Sequence, residues 1–307
     1  MNYKLTLQYD GSRYDGWQKQ GNTSNTIQGR LEQALSHLAG VPVEVHGAGR
    51  TDAGVHALGQ TASVRLPHDL PPEELRAALN RLLPEDIAAV DVQRAGERFH
   101  ARLNAAGKTY RYAIRLGDAP DVFRRRYQLR VEEPLDLPAM ERAAALLTGR
   151  HDYRSFCSNR RFKKSTIRTV DAIELRRRGN DLTLTFHGDG FLYHMVRILT
   201  GTLLEVGLGE RPAEEMPAIL AARDRSPPER PPRPRALRWY RWTITEHTIS
   251  IPFPIGNKRS RPRVCARGGS VLLLSVFRWA GGERITPLPG SRLRAEPPHG
   301  SLSLIHI

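Results

Sequence analysis

The sequence predicts an α+β protein made of two ferredoxin-like units, whose strands form an extended, mainly antiparallel sheet with helices on one face. Three observations predict this class. In the first hundred residues, apolar residues recur with period two, as in strands, or with helical period, and these patterns predict the order strand, helix, strand, strand, helix, strand. A similar succession begins again near residue 108. The length of 307 residues gives room for about two domains.

Six stretches define the first unit. Apolar residues alternate in "YKLTLQY" from Tyr3, which indicates a strand, and they recur at helical spacing from Ile27 after a cap at Asn25 or Thr26. The stretches "VPVEVHG" and "QTASVRL" are predicted strands, "PPEELRAALNRLL" opens a helix with prolines and acids, and "DIAAVDVQRA" is a closing strand. We expect an N-terminal domain over residues 1–105.

The second unit follows a related pattern. It begins with the strand "KTYRYAIRL" and the helix "LPAMERAAALLTG". A hairpin is predicted from "TIRTVDAIELRRRG" and "DLTLTFHG" around Gly179-Asn180, and "FLYHMVRILTGTLLEVG" is a mostly apolar helix over residues 191–206. We expect a C-terminal α+β domain over residues 106–225.

The composition changes after Arg225. Residues 226–307 hold 14 arginines and lysines against four glutamates, and "SPPERPPRPR" has no period. We expect a frameshifted or chimeric end beginning near Ser226, with a native, disordered basic extension as the alternative. The whole chain carries +15, so residues 1–225 contribute only +5. A basic balance indicates a polyanionic partner.

Other features point to a cytoplasmic protein. The two cysteines, Cys157 and Cys265, give no disulfide framework. The first residues alternate like a strand and do not resemble a signal peptide. The longest apolar run, "VLLLSVF", is much shorter than the roughly 20 residues of a membrane span, so no membrane partner is expected.

The loop "GAGRTDAGVHA", residues 47–57, is the first candidate site. Asp52 is either a turn residue or a catalytic carboxylate. Arg197 lies on an apolar helix, where a guanidinium either reaches water or pairs with a carboxylate. Because its glycine-rich loop can approach closely, Asp52 is the best partner for Arg197. Such a pair would keep the aspartate ionised, as a nucleophile requires.

Other residues are open to two interpretations. Tyr110 either packs in its strand or stacks on a planar base, whereas packing is the better interpretation of Tyr112. Arg50 is either a surface charge or a cation that enters a nucleic-acid stem. The basic stretches at residues 123–126 and 157–165 are either solvated loops or loops that follow phosphates.

No metal or cofactor motif is present. The histidines have no metal-ligand spacing with cysteines or acids and are expected to be structural: His46, His56, His100 and His194. The stretch "GAG" lacks the third glycine of a dinucleotide fingerprint, and no Walker A or nucleophile-elbow motif occurs.

Six stretches together resemble the tRNA pseudouridine synthase A family, from residue 1 to about residue 225. They are "YDGSRYDGWQKQ", "GAGRTDAGVHA", "FHARLNAAGKTYRY", "HDYRSF", "TIRTV" and "FLYHMVRILTGTLLEVG". The resemblance implies the pseudouridine synthase fold and an isomerase that converts uridine to pseudouridine at positions 38 to 40 of the tRNA anticodon stem-loop. It also implies no metal or organic cofactor and a homodimer that holds the tRNA across both subunits.

The resemblance also implies roles for four residues. Asp52 is the catalytic nucleophile, Arg197 pairs with it, Tyr110 stacks on the uracil and Arg50 helps to flip the base. Which step the aspartate performs stays open. The family normally ends with a closing strand of the type Gly-Leu-x-Leu-x-x-Val, and this chain has "PPERPPRPRALRWYRW" there instead.

Two other functions compete with this interpretation. A noncatalytic RNA-binding protein or RNA chaperone would also bind tRNA, but it would not need Asp52. A glycosidase-type hydrolase normally needs two carboxylates that face one bond, and only Asp52 stands out in the motif.

Overall fold

The computed structural model describes residues 1–159 and 164–223. Among these residues it contains nine strands and five α-helices. In chain order they are β1 (Asn2–Tyr9), α1 (Ile27–Ala39), β2 (Val45–Gly47), β3 (Ala57–Arg65), α2 (Pro72–Leu82), β4 (Ile87–Ala95), β5 (Lys108–Leu116), β6 (Leu129–Val131), α3 (Leu137–Leu146), β7 (Gly149–Asp152), β8 (Ile167–Arg178), β9 (Asp181–Gly188), α4 (Met195–Gly207) and α5 (Met216–Ala222). The α+β class predicted from the sequence is confirmed, whereas the described strands form two sheets and not one extended sheet.

The first four strands form one antiparallel sheet in the order β2-β3-β1-β4. With α1 between β1 and β2, and α2 between β3 and β4, this is the ferredoxin-like arrangement that the patterns predict. Of the two predicted caps, Thr26 begins α1, since its side chain accepts a hydrogen bond from the Gly29 amide. The inward residues of β1, including Tyr3, Leu5 and Leu7, are fully buried in the core of this unit.

The remaining strands form a second sheet in the order β6-β5-β9-β8-β7, which is antiparallel except for the parallel pair β5–β6. The predicted hairpin joins β8 to β9, where Arg178 lies opposite Asp181 and Gly179 has a φ of +60°. This sheet and helices α3, α4 and α5 enclose a second hydrophobic core. The strands β6 and β7 were not predicted, because three and four residues are too few to show a period.

Two predicted elements begin later than expected. The strand predicted from residue 41 begins only at Val45, since the Val43 amide donates to the Ser36 side chain of α1 and not to a neighbouring strand. The helix predicted from residue 191 begins at Met195, because His194 before it has a left-handed φ of +60° that no helix continues through. Residues 191–194 are therefore irregular, which matters for the site described below.

One edge of the second sheet is only partly paired. Strand β6 pairs with Ile114–Leu116 of β5, and within residues 1–159 and 164–223 no strand pairs with that edge along residues 108–113. The predicted atypical segment, residues 226–307, lies outside the described residues. So do residues 160–163 of the predicted basic loop. No helix in the part of the chain that the structure describes is long and apolar enough to cross a membrane.

Candidate active site

A cavity of about 470 Å³ lies where the loop between β2 and β3 meets β5 and the start of α4. The predicted site residues Arg50, Asp52, Tyr110 and Arg197 all line it. Further lining residues, which the sequence did not single out as a site, are Trp17, Arg102, Lys108, Phe191 and Tyr193. Three histidines expected to be structural also reach it, namely His46, His100 and His194.

The loop that carries Asp52 is fixed by neighbours on both sides. The Thr51 hydroxyl lies 2.9 Å from the hydroxyl of Tyr9 in a buried contact, and the Thr51 carbonyl accepts a 2.9 Å hydrogen bond from the Trp17 amide. The Val55 side chain, three residues after Asp52, is buried in the hydrophobic core of the second sheet. The loop thus connects the two sheets and presents Asp52 between them.

Two glycines of the preceding loop allow this packing. A Cβ atom at Gly11 would lie 1.9 Å from the Val55 carbonyl oxygen, and one at Gly16 would lie 2.8 Å from the Thr51 carbonyl oxygen. Both distances are too short for any side chain, and Gly16 also has a φ of +101°. The loop "YDGSRYDGW" therefore serves as a close-fitting support for the loop of Asp52.

One carboxylate oxygen of Asp52 lies close to two basic side chains. Arg197 Nη2 and His194 Nε2 each lie 3.4 Å from Asp52 Oδ2. All three side chains are 25 to 30% exposed, so water screens them only partly. Burial lowers the pKa of Arg197 to about 10, an effect that the Asp52 charge opposes. The guanidinium therefore remains charged at neutral pH.

His194 is the residue that the sequence reasoning missed. It was expected to be a structural histidine inside a helix, but it precedes α4 with a φ of +60°, a conformation that is unfavourable for most residues other than glycine and asparagine. Its ring stacks on Tyr193 with a centroid distance of 3.9 Å. The His-x-x-Arg spacing was the available signal, because residues three apart lie on one face near a helix start.

Tyr110 is half-buried on β5 and meets the Phe191 ring edge-to-face at 5.1 Å. Burial raises the pKa of its hydroxyl, and the nearby Asp52 carboxylate acts in the same direction. The hydroxyl therefore keeps its proton at neutral pH. Tyr112, by contrast, is buried in the second core, as its packing interpretation requires. Arg50 is exposed where the loop borders the cavity.

The cavity lining is rich in cations. Among the described residues that line it, Asp52 is the only carboxylate, whereas four are arginine or lysine: Arg50, Arg102, Lys108 and Arg197. Burial lowers the pKa of Lys108, and the charges of Arg102 and Arg168 add to that effect. Two further lining residues, His46 and His100, stack on each other with a ring centroid distance of 4.8 Å. This electrostatic environment suits an anionic ligand.

Comparisons with known proteins identify the family. A family model described as tRNA pseudouridine synthase matches residues 6–104 and 143–237. The tRNA pseudouridine synthase A of Bacillus sp. (strain KSM-64) is 46% identical over 225 residues, which cover 73% of this chain and 92% of that protein. The chain belongs to the tRNA pseudouridine synthase family.

Other relatives agree with this assignment. The tRNA pseudouridine synthase A proteins of Acetivibrio thermocellus and Brevibacillus brevis are both 43% identical, covering 73% and 72% of this chain and 91% of each relative. A solved structure of a Cbf5-Nop10-Gar1 complex is similar to this chain at 15% sequence identity, and the match covers 66% of this chain and 45% of the matched chain of the complex. Its TM-score of 0.32 is too low to support an argument.

As a member of this family the chain is an isomerase that forms pseudouridine in tRNA. Asp52, Arg50, His194 and Arg197 fall within the ranges that the family model matches, and Tyr110 falls between them. The resemblance stated from the sequence is confirmed, and the model match extends to residue 237, somewhat beyond residue 225. Among the described residues, no group of three histidine, cysteine or acidic side chains is arranged to hold a metal ion.

Proposed function

We propose that this chain isomerises uridine to pseudouridine at positions 38 to 40 of the tRNA anticodon stem-loop, with Asp52 as its catalytic group. The observation that carries the proposal is the environment of Asp52. It is the only carboxylate among the described residues that line a cation-rich cavity, and Arg197 and His194 both approach its Oδ2. A lone carboxylate held in this way suits covalent or proton-transfer chemistry on a bound nucleotide.

The reaction fits a site of this kind. The bond between N1 of uracil and C1′ of ribose breaks, the base turns, and a bond forms between C5 and C1′. The proton leaves C5 and N1 gains one, so atoms balance without a co-reactant. Asp52 acts as the nucleophile in this proposal, and the neighbouring Arg197 guanidinium and His194 ring orient its carboxylate.

The aromatic and basic residues supply the other functions that base flipping requires. Tyr110 is braced edge-to-face by Phe191, so its ring can stack on the flipped uracil, and its protonated hydroxyl can donate a hydrogen bond. Arg50 lies at the exposed border of the cavity, where a flipped base would leave the stem. Arg102 and Lys108 add positive charge to the cavity lining, which suits contact with a phosphate.

Location and assembly are part of the proposal. We infer a cytoplasmic homodimer that binds one tRNA across both subunits, and this inference rests on the family resemblance. Sedimentation with and without tRNA tests the assembly: a dimer is expected in both samples, and a monomer that binds tRNA at full affinity would overturn it.

The competing functions are less well supported by the site. A glycosidase-type hydrolase uses two carboxylates that flank one bond, but a second carboxylate is missing from the cavity lining within the described residues. A pure RNA-binding protein would gain nothing from orienting an aspartate between Arg197 and His194.

The test is to incubate the purified chain with an unmodified tRNA that has uridines at positions 38 to 40 and to map pseudouridine by mass spectrometry. A matched tRNA with cytidines at those positions is the control. We expect pseudouridine at these positions only. Pseudouridine elsewhere in both tRNAs would contradict the anticodon assignment, and release of free uracil would favour the hydrolase.

A further inference from the structure

A second cluster of titratable side chains lies at the far end of the Asp52 loop, away from the cavity. His56 Nδ1 is 2.8 Å from Asp10 Oδ1, and the Tyr127 hydroxyl donates a 2.8 Å hydrogen bond to Asp10 Oδ2. The His56 ring also meets the Tyr127 ring edge-on, with a centroid distance of 5.0 Å. The Asp10 carboxylate therefore binds both partners, one on each oxygen.

The three residues come from separate parts of the chain. Asp10 follows β1, His56 is the last loop residue before β3, and Tyr127 lies in the connection between β5 and β6 of the second sheet. The Asp10 side chain also accepts a 2.9 Å hydrogen bond from the Ser12 amide, and the Asp10 amide donates to the Asp86 carbonyl at 2.9 Å. Asp10 is thus a fixed point that holds residues from both sheets.

The charge state of Asp10 suits this function. Burial works against its ionised form, but the hydrogen bonds from Ser12 and Tyr127 and the proximity of His56 outweigh burial and lower the pKa of Asp10. His56 is only 7% exposed, so its contact with Asp10 is shielded from water. Charge-assisted hydrogen bonds in such places are stronger than neutral ones.

We propose that Asp10, His56 and Tyr127 are positioning residues that fix the end of the loop and hold Asp52 against Arg197. The start of this segment is fixed by the buried contact between Thr51 and Tyr9. The cluster fixes its end at His56, so the residues between, including Asp52, have little freedom. The proposal rests on the proposed catalytic function of Asp52. Tyr127 lies outside the ranges matched by the family model.

The cluster is tested with Tyr127→Phe, which removes the hydroxyl and keeps the ring against His56. The control is Tyr3→Phe, which also removes a tyrosine hydroxyl that donates to an aspartate, at 2.9 Å to Asp69, but far from the loop. We expect Tyr127→Phe in the full chain to lower kcat by about tenfold and leave KM for tRNA within about twofold, because small misplacements of a catalytic group slow the chemistry. Tyr3→Phe should keep the wild-type kcat.

Hydrogen exchange of the amides from Thr51 to His56 provides a readout that does not need activity. Tyr127→Phe should exchange faster in this segment and Tyr3→Phe should not. Asp10→Asn, which cannot accept hydrogen bonds on both side-chain positions, should show a larger effect of the same kind.

Several results would overturn the proposal: wild-type kcat in both Tyr127→Phe and Asp10→Asn, a change confined to KM, or faster exchange spread evenly over the first unit. If the wild-type chain forms no pseudouridine, the proposed function fails, but the exchange measurement still decides whether this cluster fixes the loop.

Discussion

Arg197→Met tests whether Arg197 contributes to the activity of the site or to the stability of the fold. Arg197 Nη2 lies 3.4 Å from Asp52 Oδ2. With an effective dielectric constant of about 20, two unit charges at that distance attract by about 5 kcal/mol, which is an upper limit before desolvation. Even with the attraction of Asp52 included, burial leaves the pKa of Arg197 at about 10, a net cost of about 3 kcal/mol to its charged form. The guanidinium is therefore kept at some expense to stability.

We expect Arg197→Met to reduce kcat by about 30- to 150-fold, the equivalent of about 2 to 3 kcal/mol, because Asp52 loses one of the two groups that orient it. The thermal midpoint should not fall, since methionine packs well on an apolar helix and no charge is left to bury. The measurement is pseudouridine formation in a single turnover with enzyme in excess over tRNA, accompanied by thermal unfolding.

Arg211→Met is the matched control. Arg211 is more buried than Arg197, at 14% exposure, and pairs with Glu205 at 2.9 Å and Glu215 at 2.7 Å, outside the cavity lining. Its loss should lower stability and leave kcat unchanged. If Arg197→Met turns over at more than half the wild-type rate, or loses no more activity than Arg211→Met, Arg197 does not orient Asp52.

Four further substitutions, at His194 and Tyr110, and one truncation test the rest of the account. His194→Asn keeps a polar side chain that tolerates the left-handed backbone, and it should lower kcat by about tenfold. His194→Gly should lower kcat further without loss of stability. Full activity in both variants would show that His194 is not part of the site. In binding and turnover measurements, Tyr110→Phe should retain tRNA affinity, whereas Tyr110→Ala should lose both stacking and activity. A fully active alanine variant would show that Tyr110 has only a structural role. Truncation after Arg225 should weaken the salt dependence of RNA binding, because residues 226–307 carry +10, without changing which uridine is modified. A truncated chain with unchanged salt dependence would show that this charge does not contact RNA.

The first unit could be predicted from sequence because its elements are long and regularly patterned. Burial alternates along β1 from Tyr3 to Tyr9, and α1 has a cap that the sequence shows. Short strands such as β6, with three residues, leave no periodic signal. The domain boundary near residue 105 remains a proposal, which the presence of separate hydrophobic cores around the two sheets supports.

The site was predictable where chemistry restricts residue types. An arginine on the apolar helix α4 required an explanation, and Asp52 on a glycine-rich loop supplied one. His194 was missed because a left-handed residue before a helix has no sequence signature unless it is glycine or asparagine. The contact of His56 with Asp10 and Tyr127 was missed because it joins residues up to 117 positions apart.

The central claim is that Asp52 performs the chemistry, and Asp52→Asn tests it most directly. Purified wild-type and variant chains are compared in single turnovers on the same unmodified tRNA, with binding measured in parallel and intact mass used to exclude deamidation. The account predicts pseudouridine at positions 38 to 40 with the wild type, none with Asp52→Asn, and tRNA affinities within a few-fold of each other, because the carboxylate adds little phosphate binding. Pseudouridine formation by the asparagine variant at a rate near that of the wild type would contradict the claim.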